Sequence, residues 1–335
     1  MTGIWFAIGS MLLAALAVVL AKFGVKSAEA EAGVFIRTLV LAVAFWGVVF
    51  ATGSVSDIKE IAPMTFLYIL ISGIGWGLSH IFYFKALKKG AASKVVAVTH
   101  ISVVFTAMLR VIFYGTSGHD TLSAIALCLV AIGVIFITYK GKAEVWELIA
   151  TIILVFSAFL IYYYFGDKIS LTVKIIAAVI ITAAAIFFIV NLIRHHTGGI
   201  WLLFSVISAI FAAGTTLFCD TNIGTDSSIY DALRILIVLL VCLIALSVTG
   251  KWGKLKAVKG DSLFFLILSG ITLAASRYFL SGSISLGYSY LANILAQVGI
   301  MVTVLLCVLF LKDKITVRSG LGELLITAGY ILMVI

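Results

Sequence analysis

Charged residues are scarce in this chain. Asp, Glu, Lys and Arg together make 11% of its 335 residues, against about 25% in a soluble domain. That is too few to coat a water-facing surface, and no polar stretch is long enough to build a soluble head domain. Cysteine is sparse as well. Cys128, Cys219, Cys242 and Cys307 lie in or beside apolar runs without metal-ligand spacing, which predicts buried, inert thiols and no metal or other cofactor. Basic side chains are missing from Met1 to Gly3, and the apolar run to Leu20 is long enough to span, so no cleavable leader is expected. The net charge of +9 does not point to nucleic acid, because the Lys and Arg residues sit in short loops between apolar runs. That pattern encodes membrane topology.

What is abundant is apolar sequence: 63% of the residues, at a mean hydropathy of +1.26. Runs of about twenty residues match the thickness of a bilayer, and each can satisfy its backbone hydrogen bonds within one helix. The sequence therefore predicts an all-α integral membrane protein of about twelve spans. They are 3–22, 33–52, 64–84, 93–114, 121–139, 146–165, 173–193, 199–218, 228–248, 262–285, 290–311 and 319–335. Loops after odd-numbered spans carry sixteen basic residues: Lys22, Lys26, Lys85, Lys88, Lys89, Lys94, Lys140, Lys142, Arg194, Lys251, Lys254, Lys256, Lys259, Lys312, Lys314 and Arg318. Loops after even-numbered spans carry three, Lys59, Lys168 and Lys174. This bias predicts odd-numbered loops in the cytoplasm and both termini outside. The other four basic residues, Arg37, Arg110, Arg234 and Arg277, fall deeper within spans than Lys94 and Lys174, which sit at span edges.

The chain also repeats itself at an offset of 197 residues. Phe66 to Gly90 reads FLYILISGIGWGLSHIFYFKALKKG, and Leu263 to Gly287 reads LFFLILSGITLAASRYFLSGSISLG. Ser72, Gly73, Ile74, Ser79, Phe82 and Gly90 are matched by Ser269, Gly270, Ile271, Ser276, Phe279 and Gly287, and the ungapped register runs from Arg37/Arg234 to Phe113/Phe310. The expected organisation is a five-helix unit at 1–140, an inserted helix pair at 141–196 and a second five-helix unit at 197–335. Trp146 and Tyr162-Tyr163-Tyr164 resemble interfacial anchors at the two faces of the first inserted helix. Basic loops follow the first, third and fifth helices of the first unit but the second and fourth of the second, so the halves should insert in opposite senses. Inverted repeats are the architecture of alternating-access transporters.

At these residues the chain resembles the drug/metabolite transporter superfamily, in particular its two-repeat EamA-type members. The third helix runs into Ala86-Leu87-Lys88-Lys89-Gly90-Ala91-Ala92-Ser93, similar to that family's corner. Leu311-Lys312-Asp313-Lys314-Ile315-Thr316 resembles its leucine-basic-acidic turn, followed by Gly320, Gly322 and Gly329. The resemblance covers roughly 1–140 and 197–335. It departs in three ways: one proline in all, Pro63, where the family has several in fourth helices; twelve spans instead of ten; and termini outside instead of inside. The resemblance implies that third and fourth helices line a central cavity.

Ionisable groups inside a span are candidate functional groups, since placing one there costs at least ~2.5 kcal/mol unless it is paired or hydrated. His80 corresponds to Arg277 across the repeat, each preceded by a serine, Ser79 and Ser276. His100 corresponds to Gln297, with Asn293 one turn away. Trp76 and Tyr278 could supply aromatic walls. Each has a plainer reading as helix packing. Arg37 and Arg234 lie within two turns of a span end, and Arg234 follows Asp231 by three, a local ion pair. Acids are few: Asp231 and Glu323 fall within expected spans, Glu147 only at the edge of one, and the first span has none, which argues against proton-for-cation drug export. A cavity holding Arg277, His80 and His100 favours a small anionic or zwitterionic solute such as an amino acid or organic acid. The partners expected are that solute and the lipid bilayer of the cytoplasmic membrane, with the protein a monomer or homodimer. A lipid or lipid-linked-sugar flippase is the alternative that the resemblance permits. An enzyme is not expected: His195-His196 are adjacent instead of helix-spaced, and no other cluster exists. Channel signatures such as charge rings are also missing.

Overall fold

The computed structural model describes residues 2–106, 109, 121–138, 200–219 and 227–334. The expected inserted pair at 146–165 and 173–193 lies outside the described residues, as do Arg110 and His195-His196. What is described is helical, without a strand among the described residues. The helices are α1 (Thr2–Val25), α2 (Ala30–Thr52), α3 (Pro63–Lys89), α4 (Ala92–Thr99) and α5 (Thr121–Thr138), with a 3-10 turn at Ser54–Glu60. There follow α6 (Ile200–Cys219), α7 (Ser227–Val248), the short α8 (Trp252–Lys256), α9 (Asp261–Ser285), α10 (Ser289–Leu311) and α11 (Val317–Val334).

The ends follow local chemistry. Pro63 opens α3 in its first turn, where its missing N–H costs nothing. Gly53, at φ 74°, closes α2 in the left-handed conformation that glycine adopts without strain. Six helices are long and apolar enough to cross a membrane: Thr2–Val25, Ala30–Thr52, Pro63–Lys89, Ile229–Val248, Asp261–Ser285 and Ser289–Leu311. Their outward faces are apolar, with Val43, Phe50, Leu240, Ile244 and Leu309 exposed. Lipid is the solvent that such a surface fits.

Two expected boundaries need correction. α2 begins at Ala30 instead of 33, which brings Glu31 into its first turn. α3 continues to Lys89 instead of ending at 84, because Lys85 and Lys88 find carboxylates on α2 and the loop before it. The fourth span is also not one continuous helix. α4 stops at His100, and the chain turns at 100–101 before helical residues 102–106.

The helices pack in corresponding pairs. α1 lies along α9 as α6 lies along α3; α2 meets α9 as α7 meets α3; α10 touches α11 as α4 touches α5. Single residues follow the same rule. A Cβ on Gly73 would stand 2.8 Å from Ile237 Cβ and 3.2 Å from the Arg234 carbonyl. A Cβ on Gly270 would stand 2.7 Å from Val40 Cβ and 3.1 Å from the Arg37 carbonyl. Each residue of the second triplet differs from its counterpart by 197 in number. α5 and α11 cross still closer, with Gly133 and Gly322 each facing the other's carbonyl. Gly322→Val would press a side chain onto backbone that cannot rotate away. It is expected to destabilise the protein by ~1–3 kcal/mol, read as a lower unfolding temperature in detergent with the secondary structure at 20 °C unchanged.

Candidate functional site

The site is built on α3. Trp76 and His80 are four residues apart and share one face of the helix; their rings meet edge to face at 5.1 Å between centroids. Three other helices each send an arginine here. Arg234 of α7 lies over the Trp76 indole, its Cζ 4.4 Å from the ring centroid, and also 5.9 Å from that of Tyr230. Arg277 of α9 lies over the same indole at 5.6 Å. Arg37 of α2 lies over the Phe84 ring at 5.3 Å, two turns further along α3. All three guanidinium groups are within electrostatic reach of His80.

Among the described residues one carboxylate comes within ion-pair distance of them. Asp231 approaches Arg234 at 4.0 Å, the limit of an ion pair. Among the described residues no carboxylate pairs with Arg37 or Arg277. Arg37 is 5% exposed, and its Nε and Nη1 have no hydrogen-bond partner among the described residues. The aromatic faces offset part of the cost, ~0.5–2 kcal/mol for each cation–π contact, but they accept no hydrogen bond in the guanidinium plane.

Of the residues singled out in the sequence, the structure brings Trp76, His80 and Arg277 together. Ser79 and Ser276 are committed to helix seams instead. Ser79 Oγ donates to the Ser208 carbonyl and Ser208 Oγ to the Ser79 carbonyl, both at 2.9 Å. Ser276 Oγ donates to the Ser10 carbonyl at 2.9 Å. His100 stands apart, against Tyr330, which belongs to a different hydrophobic cluster from Trp76. The Tyr330 hydroxyl donates to the His100 carbonyl at 2.7 Å, and the two rings are perpendicular. This is where α4 breaks: the amides of Ile101, Val103 and Val104 bond three residues back instead of four. A break inside an apolar helix exposes backbone groups that need partners, and Tyr330 supplies one without a proline. Tyr278 is 60% exposed. Asn293 is exposed and Gln297 half-buried on α10, and no hydrogen bond ties either to the arginines among the described residues.

Arg37 and Arg234 are the members that sequence reading assigned elsewhere, to span ends and a local ion pair. The signal available was their match at the 197 offset, since two arginines at equivalent depth in equivalent helices call for one common explanation.

One end of the bundle carries a second polar network. Glu31, 2% exposed, pairs with Lys85 at 3.2 Å and Lys251 at 2.9 Å. Glu29 pairs with Lys88 at 2.8 Å and Lys251 at 3.1 Å. The hydrogen bond from Lys88, then that from Lys251, holds the Glu29 carboxyl down at about 2. At the same end Asp313 accepts from the amide and hydroxyl of Ser93, at 3.0 and 2.9 Å, in the first turn of α4. A carboxylate there satisfies unpaired amides and meets the positive end of the helix. Lys22 donates to the Leu87 and Gly90 carbonyls at the end of α3.

Apolar outward faces, a helix broken within its apolar run and cations held between membrane helices define a polytopic membrane protein of the transporter class. The chain belongs to the EamA-like transporter family, which matches residues 1–139. A curated protein of Sinorhizobium sp, named as an uncharacterized transporter in the cobO 3′ region, is 36% identical over 111 residues, covering 33% of this chain and 79% of that protein. A solved structure described only as "Crystal structure of protein" superposes with a TM-score of 0.57 at 12% identity, covering 97% of this chain and 95% of that one. At that identity the likeness speaks for the fold alone.

Proposed function

We propose that this protein is a secondary transporter that moves a small anionic or zwitterionic metabolite across the cytoplasmic membrane by alternating access. The observation that carries this reading is the meeting of Arg37, Arg234 and Arg277 around Trp76 and His80, on helices drawn from both parts of the chain. A buried guanidinium such as Arg37, with no carboxylate against it among the described residues, favours an anionic group as ligand. Two inverted five-helix halves, 1–140 and 197–335, are the mechanical part of the proposal. The corresponding helix pairs and the matched contacts of Gly73 and Gly270 support it. Rocking of one half against the other would expose the arginine cluster to each side in turn.

The test is counterflow of labelled organic acids and amino acids into liposomes containing the purified protein. Arg277→Ala is expected to lower uptake roughly thirtyfold or more, since truncating one partner of a buried charge contact costs about 2–5 kcal/mol. Uptake equal to the unaltered protein's, from a folded variant, would sink the reading.

A further inference from the structure

We propose that Glu323 carries the proton that couples transport to a pH gradient, protonated in the arrangement seen here and ionised when the bundle opens around it. This rests on the transport reading and adds the coupling ion to it. Glu323 lies on α11, the last expected span, at 5% exposure. Its Oε1 is buried without a hydrogen-bond partner, and among the described residues no lysine or arginine pairs with it. Glu31 is buried to a similar degree but holds two lysines. One carboxyl is placed to stay charged and the other to lose its charge. An isolated carboxylate taken out of water is neutralised instead of staying ionised, and acids within spans serve pumps and transporters as proton carriers.

Packing does not call for the acid. Carried on to these helices, the offset of 197 matches Glu323 with Ala126 of α5, which is 0% exposed. An apolar side chain therefore serves at the corresponding place. Ser319, one turn before Glu323 and close to its carboxyl, also has its Oγ buried without a hydrogen-bond partner. The neighbouring helices offer little that could stand in for a proton. α5 carries no charged residue, and Cys128 is its one titratable group. α10 contributes the Cys307 thiol, within electrostatic reach of Glu323 and also of Asp313 and Lys22. α4 carries Lys94 in its first turn, and His100 at its end stands against Tyr330. On α11 itself, Arg318 lies over the Phe136 ring and Tyr330 is bound to the α4 break.

Glu323 adjoins Gly322, whose place against Gly133 is the close crossing of α5 and α11. Those helices belong to the two proposed halves, so a charge that comes and goes there acts on a contact between them. The carboxylate takes a proton from water on one side, and the carboxylic acid returns it to water on the other. One proton moves per cycle, and Glu323 ends as it began.

The experiment has two arms. The first is infrared difference spectroscopy between mildly acid and mildly alkaline pH on the purified protein in nanodiscs. It reads the carbonyl stretch of a protonated carboxyl and needs no solute. A band present in acid, lost in alkali and missing from Glu323→Gln is expected. The second arm is uptake of labelled succinate, lactate and alanine into liposomes with the membrane potential held at zero. A gradient of one pH unit supports about a tenfold accumulation when one proton moves for each solute, and at least one of the three should approach it. Glu323→Gln, which fixes the neutral form, is expected to keep counterflow and lose the accumulation altogether. Should it fail to fold, Glu323→Ala supplies the same comparison, since alanine already stands at position 126. No band assigned to Glu323, accumulation unchanged in the variants, or counterflow and accumulation lost together from a folded variant overturns the proposal. Accumulation driven by a sodium gradient in place of the pH gradient does so as well. The arms keep the two claims apart. Counterflow that ignores the pH gradient leaves transport standing and overturns coupling, while a Glu323 band without counterflow of any of the three solutes overturns transport and coupling with it.

Discussion

Glu31→Gln is expected to open the end of the bundle that carries Lys85, Lys88 and Lys251. Glu31 is the buried member of that network, 2% exposed, and each of its carboxylate oxygens holds a lysine from a different helix or loop. Lys85 comes from the end of α3 and Lys251 from the turn after α7, so the carboxylate ties together elements far apart in the chain. Both lysines are about a third exposed, which limits each contact to the lower part of the range for charged hydrogen bonds. Together they come to ~1.5–3 kcal/mol, a factor of roughly ten to a hundred in the population of the closed arrangement. The positions 197 away from Glu31, Lys85, Lys88 and Lys251 are Ser228, Gly282, Ser285 and Ser54. None of these four can supply an equivalent ion pair, so on the proposed alternating-access mechanism the network would bias the protein one way. The measurement is labelling by an impermeant maleimide of one cysteine placed at Ala28, which is 2% exposed at this end, in a background lacking the four native cysteines. Labelling about tenfold faster in Glu31→Gln is the expected result, and an unchanged rate refutes the bias.

Acid should act in the same direction through Glu29. An ordinary glutamate carboxyl titrates near 4.5, and in the closed arrangement Lys88 and Lys251 hold this one at about 2. Its contribution is fully present above pH 4.5 and is lost as the pH falls from there towards 2. Labelling at Ala28, divided at each pH by that of a fully exposed cysteine to remove the falling thiolate fraction, should accelerate over that window and stay flat above it as far as Glu29 is concerned. Added salt should mimic the effect, because Glu29 is itself a third exposed and open to screening.

Helix positions were readable from the sequence because lipid imposes a length and a composition on every span. Ten expected spans have helical counterparts, most within a residue or three at each end. The exceptions have specific physical causes. α3 outran its expected end because Lys85 and Lys88 are neutralised by Glu31 and Glu29, a pairing between segments 54 and 59 residues apart that no window of hydropathy contains. The break at His100 was hidden because no proline marks it; Tyr330, 230 residues later, provides the hydrogen bond. The site was half legible. His80 and Arg277 stood out as polar groups deep in apolar runs, and Trp76 lies one turn before His80. Arg37 and Arg234 did not, since both lie near span ends, where a long side chain can reach the interface. In the folded protein both point onto α3 aromatics instead.

Trp76→Leu is expected to abolish most transport while leaving the fold in place. The residue 197 positions on is Leu273, on the equivalent helix α9, so leucine already occupies the corresponding place in this fold. The change should then cost less than the 3–5 kcal/mol typical of emptying a buried tryptophan site. What it removes is the indole face shared by Arg234 at 4.4 Å and Arg277 at 5.6 Å, together with the ring edge against His80. At ~0.5–2 kcal/mol for each cation–π contact, losing two amounts to ~1–4 kcal/mol of positioning for the two guanidinium groups. Uptake per folded molecule should fall roughly fivefold to several hundredfold. Trp76→Phe, which keeps a smaller π face, should fall much less. A purely steric role predicts no difference between the two, because leucine and phenylalanine both fill the space without clash and neither would be favoured by its face. The test is counterflow of the substrate in liposomes, normalised to the fraction that unfolds cooperatively on heating. Equal uptake by the leucine and phenylalanine variants would show that the arginines are positioned without the indole. A clear phenylalanine advantage would show that the aromatic face, present at position 76 and absent at position 273, is what gathers guanidinium groups from two helices to one place.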